Sequence, residues 1–171
     1  MPNPSYNFTL RKMIFAALMT AVTVLLSPVF SFPLGVTRAF PIQHMVNIFL
    51  AVLAGTRYGV SAAFAASLIR NIAGTGSLLA FPGSMVGAFL SGYLYSHTGK
   101  LWMAVLGEFI GTSLIGGLLS YPVAALVLGS DKGALFYISL FAVSCGAGCC
   151  IAYAVLKAIE LCQPALLKHE R

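Results

Sequence analysis

Eight side chains in this sequence can hydrogen-bond a small ligand and stand in or beside otherwise apolar chain: Gln43, His44, Asn47, Arg70, Asn71, Ser77, Glu108 and Thr112. Gln43 and Asn47 are spaced i,i+4, and His44 and Asn47 i,i+3, so in a helix all three share one face. Amides and an imidazole both donate and accept hydrogen bonds, which suits a small polar heterocycle. Glu108 is the only acid far from the end of an apolar run, and Thr112 follows one turn later on the same face. A carboxylate inside a membrane needs a reason, such as a ligand, a proton or a partner cation. Arg70 is the cation expected to pair with it. Otherwise Arg70 extends its head to the membrane interface. Arg70 and Asn71 run into the loop Gly74-Thr75-Gly76-Ser77. This loop lacks the strand–turn–helix setting of a phosphate fingerprint, so it reads as a turn. The next helix directs its free N–H groups at the same region.

Several chemistries have no motif here. No G-x-x-x-x-G-K-[ST] occurs, because Gly99-Lys100 is followed by Leu101, so ATP hydrolysis by that route is excluded. There is no H-E-x-x-H and no G-x-S-x-G, and His44 has no acid close by in sequence, so an enzyme is not expected. Cys145, Cys149, Cys150 and Cys162 lie in the last apolar stretch without an accompanying His or C-x-x-C, so no metal site or cofactor is expected. Cys145 and Cys149 read as small packing residues one helical turn apart.

The elements that must position these residues are read from composition. Of 171 residues, 59% are hydrophobic and 8% charged, against roughly 25% charged in a soluble domain. So few charges cannot cover a water-exposed surface. The net charge of +6 comes from basic residues scattered at the ends of apolar runs, with no basic stripe for nucleic acid. Spans are expected at about Thr9–Leu26, Ile42–Ala54, Val60–Ile72, Pro82–Tyr95, Leu101–Ser120 and Ala134–Leu161, with Pro122 kinking or restarting the fifth helix. The residues between Leu26 and Ile42, with Pro33, Gly35, Arg38 and Pro41, read as a loop. The first run follows Arg11 and Lys12 like a signal peptide but lacks an A-x-A site, and is read as a retained span.

The expected fold is therefore an all-α membrane protein. Residues 1–171 would form a single domain, one bundle of six transmembrane helices. Arg11, Lys12, Arg57, Lys100, Lys157, Lys168 and Arg171 would lie on the side of the termini, against Arg38, Arg70 and Lys132 on the other. That excess places both termini in the cytoplasm. Phe30, Phe32, Phe40, Phe81 and Tyr121 collect at the outer ends, most simply as an interfacial belt. Ala17-x-x-x-Ala21, with Ala16 and Thr20 alongside, is a small-residue face that lets another helix approach closely.

Three stretches resemble the substrate-binding S component of energy-coupling-factor (ECF) vitamin transporters, of the ThiW type. Phe40-Pro41-Ile42-Gln43-His44-Met45-Val46-Asn47 resembles the start of that family's second span. Leu68-Ile69-Arg70-Asn71, continued by Gly74-Thr75-Gly76-Ser77-Leu78-Leu79-Ala80-Phe81-Pro82-Gly83-Ser84-Met85, resembles its central signature. The Ala17-x-x-x-Ala21 face resembles the motif by which S components dock on their partner. The first two motifs are specific, while the third is generic to S components. The likeness covers nearly the whole chain. It implies a multi-pass protein of the bacterial cytoplasmic membrane that captures the thiamin precursor hydroxyethylthiazole from outside. A transmembrane coupling protein and two cytoplasmic ATPases would drive uptake. An S component for thiamin, its pyrimidine or another vitamin is the nearest alternative. An intramembrane enzyme using His44 and Glu108, or a ligand-free structural subunit, is further off. Within the ThiW reading, Gln43, His44, Asn47, Arg70, Asn71, Ser77, Glu108 and Thr112 are the expected pocket, and Ala16, Ala17, Thr20 and Ala21 the docking face.

Overall fold

A computed structural model describes residues 4–34 and 37–163. It is nearly all helical. Six rods follow one another: α1 (Pro4–Val29), α2 (Pro41–Leu53), α3 (Thr56–Ile72), α4 (Ala80–Thr98), α5 (Leu101–Val127) and α6 (Ala134–Cys162). Three of them are long and apolar enough to cross a bilayer: Phe8–Val29 within α1, all of α5 and all of α6. Their outward faces are apolar, with Leu25, Leu126 and Leu135 all more than two-thirds exposed. That surface suits lipid and not water.

The expected loop between α1 and α2 is instead a short antiparallel hairpin, β1 (Phe32–Leu34) and β2 (Thr37–Ala39), in register Phe32↔Ala39 and Pro33↔Arg38. Gly35 lies outside the described residues. The hairpin corrects the all-helical expectation. It bridges from the end of α1 into Pro41, which sits at the first turn of α2, where no N–H is needed.

α2 is short and central. Its 13 residues span about 20 Å at 1.5 Å per residue, and it touches each of the other five rods. Its two halves differ. Ile48 and Val52 join an apolar cluster with Tyr95, Ala104, Cys145, Cys149 and Leu156, while Val46 and Leu50 pack with Ala54 and Ala62. The first half carries Gln43, His44 and Asn47, all buried. Cys145 and Cys149 therefore pack as the small residues expected of them.

α4 and α5 approach at backbone contact. A Cβ on Gly107 would lie 2.5 Å from the Leu90 carbonyl oxygen, and one on Gly111 2.8 Å from the Gly87 Cα. One on Gly116 would overlap the Gly83 Cα. Where the two helices meet, Gly111–Gly116 is a π-helical turn. Pro122 lies inside the helix that continues to Val127, so the fifth helix is irregular before its proline and runs on past it. A single wide turn rotates the side chains that follow it, and such turns collect at functional positions.

At the end of the bundle near α1's start lie Arg11, Lys12, Arg57, Lys100 and Lys157; at the hairpin end lie Arg38, Arg70 and Lys132. Lys168 and Arg171 fall outside the described residues.

Candidate functional site

A chain of buried polar groups runs between four helices. Glu108, on α5 and fully buried, is its hub. Its Oε1 accepts from Asn47 Nδ2 at 3.0 Å and Thr112 Oγ at 3.1 Å, and lies 3.0 Å from His44 Nδ1. Asn47 Nδ2 also reaches the Ser84 carbonyl at 3.2 Å. Ser84 Oγ pairs with Ser67 Oγ at 3.1 Å, and Gln43 Nε2 donates to that Ser67 oxygen at 3.2 Å. Gln43 Oε1 in turn accepts from Arg70 Nη1. The chain thus joins the two buried charges, Arg70 and Glu108, through neutral groups and without direct contact.

Arg70 is 1% exposed. It does not reach to the interface, and it is not the partner of Glu108. Its guanidinium donates to Gln43 and, at 3.2 Å, to the Thr75 carbonyl, and its Cζ stands 4.1 Å from the Phe40 ring centroid. The cation is held by π-electrons and carbonyl-type oxygens, which cost less to desolvate around an arginine than around a lysine. Glu108 instead pairs with His44, from a helix 64 residues earlier in sequence.

A cavity of about 60 Å³ opens above this network. Gln43, His44, Ser77 and Thr112 line it, so four of the eight expected residues reach it directly. Asn47, Arg70 and Glu108 stand behind the lining and fix it. Asn71 does neither. Its Nδ2 donates to the Ser67 carbonyl at 2.8 Å and the Ser77 carbonyl at 3.2 Å, tying the loop to the end of α3.

The remaining wall comes from Arg38, Phe40, Gly83, Ser84, Leu140, Phe141 and Ser144, with Leu79 and Ala80. Leu140, Phe141 and Ser144 are spaced three and four apart, one face of α6, but nothing in their types sets them apart from packing residues. Phe40 had read as belt and Arg38 as a topology charge. Of the other belt aromatics, Phe81 packs edge-on to Phe64 at 5.8 Å, while Phe30 and Tyr121 are exposed.

The hydrogen-bond inventory says which groups remain for a ligand. Gln43 is used at both ends of its amide. Ser144 Oγ accepts from the Phe40 N–H at 2.9 Å, and Ser77 Oγ from the Leu79 N–H at 3.2 Å. Each serine keeps its O–H to donate. With Glu108 ionised, His44 Nδ1 donates to it, and Nε2 remains as an acceptor. Glu108 Oε2 is buried with no hydrogen-bond partner among the described residues. Three buried ligand atoms, from His44, Glu108 and Cys145, lie within 4.8 Å of one another, so the fold brings to a cysteine the histidine that the sequence separates from it. A nitrogen–oxygen–sulfur set suits zinc. A metal there would displace the His44–Glu108 hydrogen bond.

On α1, Ala17 and Ala21 are exposed and, with Thr20, line an apolar groove against Ala65 and Ile69 of α3. Ala16 turns inward onto the cluster of Val46 and Leu50, so it is not part of that outer face.

A family model described as thiamine-precursor transporter protein (ThiW) matches residues 13–161 of the 171. No curated protein and no solved structure matches the chain.

Proposed function

We propose, from the premise that this chain belongs to the ThiW family of thiamine-precursor transporters, that the cavity between α2, α4, α5 and α6 binds hydroxyethylthiazole. The carrying observation is the cavity's size together with its unspent hydrogen-bonding atoms. A single water needs about 10–15 Å³ on this volume scale, so 60 Å³ accommodates one small ring. The walls are apolar apart from a few placed groups, as small-molecule sites usually are. The Ser77 or Ser144 hydroxyl donates to the ring nitrogen. His44 Nε2 accepts from the ligand hydroxyl, with Glu108 fixing the tautomer that leaves it free. Phe40, Leu140 and Phe141 cover the ring.

The chain then acts as the S component of an ECF-type transporter in a bacterial cytoplasmic membrane. All six rods cross or enter the bilayer, and both termini are cytoplasmic. Five basic residues at the terminus end against two exposed ones at the hairpin end support that orientation, since buried Arg70 is occupied in the network and does not act as a topology charge. The cavity sits toward the hairpin end and so faces outward for capture. The exposed Ala17–Ala21 groove takes a helix of the coupling protein, and two ATPases supply the energy that this chain, without a nucleotide motif, does not.

Calorimetric titration of the detergent-purified protein with hydroxyethylthiazole and with thiamin, run in parallel, tests this reading. We expect one-to-one binding of the thiazole and none, or at least a hundredfold weaker binding, of thiamin. Preference for thiamin would keep the family and overturn the ligand. Turnover of the ligand without ATPases would favour an intramembrane enzyme.

A further inference from the structure

The inner cavity continues outward into a second, more open one of about 340 Å³. Arg38, Phe40 and Ser77 line both, so a substituent on a ring in the inner cavity emerges between them. We propose that the outer cavity is a subsite for an anionic substituent, a phosphate monoester, on a ligand whose ring fills the inner cavity. Arg38 is its cation. The proposal rests on the inner cavity being the ring site.

The electrostatics of the mouth carry it. The Arg38 side chain, on β2, is exposed and has no carboxylate or hydrogen-bond partner among the described residues. Arg70 adds a second positive charge directly behind the same wall, stacked on Phe40 and bonded to the Thr75 carbonyl. Both Phe40 and Thr75 face the outer cavity. The acids Glu108, Asp131 and Glu160 line neither cavity. Glu108 stands behind the inner cavity with its Oε1 engaged. A concave site with Arg38 in its wall, Arg70 behind it and, among the described residues, no acid in its lining concentrates positive potential. Arginine is the side chain whose planar fork matches phosphate oxygens two at a time. Ser77 adds a hydroxyl at the junction, with its own acceptor side already satisfied by Leu79. A neutral alcohol would use the inner cavity alone, whereas its phosphate ester would use both.

The test is calorimetry on the full chain in detergent with hydroxyethylthiazole, its phosphate monoester and inorganic phosphate, for wild type and Arg38→Gln. The ester should bind wild type about tenfold or more tightly than the alcohol, the scale of a charge-assisted hydrogen bond. Arg38→Gln should remove that advantage, so that the ester and the alcohol bind the variant with equal affinity. An exposed hairpin position makes the variant compatible with folding, and the alcohol titration checks it. An ester that binds no better than the alcohol, or an advantage that survives Arg38→Gln, would overturn the subsite alone. Failure of both compounds to bind would instead overturn the ring site beneath it. A lipid phosphate has the same chemistry, so the titration is repeated in nanodiscs of phosphatidylcholine with and without phosphatidylglycerol. An advantage that persists in both supports the subsite. Its loss with phosphatidylglycerol would assign Arg38 to a headgroup and overturn the proposal. Binding of inorganic phosphate as tightly as the ester would also overturn it, because the ring would then contribute nothing.

Discussion

Glu108→Ala is expected to abolish hydroxyethylthiazole binding and to lower stability by about 1–3 kcal/mol, the cost of leaving buried donors without their acceptor. The carboxylate is fully buried and its Oε1 is shared by Asn47, Thr112 and His44. Alanine removes that acceptor from all three; Asn47 keeps the Ser84 carbonyl and Thr112 the Gly83 carbonyl, while His44 Nδ1 loses its partner. It also frees the His44 ring to turn, and with it the Nε2 acceptor offered to the ligand. Glu108→Gln separates the two effects. Its amide oxygen still accepts where Oε1 did, so most of the stability returns. Binding does not return in full, because a neutral oxygen accepts from His44 Nδ1 more weakly than a carboxylate does and holds the ring less firmly. Thermal unfolding in detergent and titration of the same samples check both variants. Wild-type affinity in Glu108→Ala would contradict the role given to this network.

Gly116→Ala should be among the most damaging of the single-methyl additions, costing about 3 kcal/mol or more. The new Cβ meets the Gly83 Cα, with Gly83 N at 3.2 Å. Backbone cannot rotate away as a flexible side chain can, so α4 and α5 must part, and overpacking of tight cores already costs about 1–3 kcal/mol where side chains can yield. Gly111→Ala should behave alike, with contacts of 2.8 Å to the Gly87 Cα and 2.9 Å to the Val86 carbonyl oxygen. The same substitution at Gly146 meets only the edge of Phe109 at 3.8 Å and should be harmless. Thermal melts of the three variants rank them. Equal melting temperatures would refute the close α4–α5 packing.

The residues of the site were legible where their chemistry contradicted their surroundings. Gln43, His44 and Asn47 share one face of an otherwise apolar helix, and Glu108 with Thr112 interrupts another. Their buried positions follow from the helical period. Pairing was not legible. The sequence separates His44 from Glu108 by 64 residues, and charge alone nominated Arg70 as the acid's partner. Only the fold reveals that Phe40, Gln43 and the Thr75 carbonyl engage the arginine instead, with its Nε left unpartnered among the described residues. The cavity wall from α6 was hidden for the opposite reason, since Leu140 and Phe141 look like any lipid-facing or core residue. The hairpin was missed because three-residue strands around Pro33 carry too little pattern to separate from a loop. The π-helical turn has no clear sequence signature, although its flanking glycines are visible. The nearly all-helical, apolar character of the chain came through because composition constrains it strongly. Three rods long enough to cross a membrane, and a family match over residues 13–161, agree with it.

The central claim is that the ring of the ligand fills the inner cavity, whose wall includes Gly83, Phe141 and Thr112, and Gly83→Ala addresses it most directly. A Cβ there makes ordinary contacts, 3.5 Å to Phe141 and 3.7 Å to Thr112, and all three residues line the cavity. The methyl group therefore occupies ligand space without straining the protein, and replacing a helical glycine adds up to about 1 kcal/mol of stability. Calorimetric titration of hydroxyethylthiazole into wild type, Gly83→Ala and the exposed control Tyr93→Ala is the measurement. The account predicts that affinity falls at least tenfold in Gly83→Ala, with an unchanged or higher melting temperature, and is unaltered in Tyr93→Ala. Wild-type affinity in Gly83→Ala would place the ligand elsewhere and contradict the account.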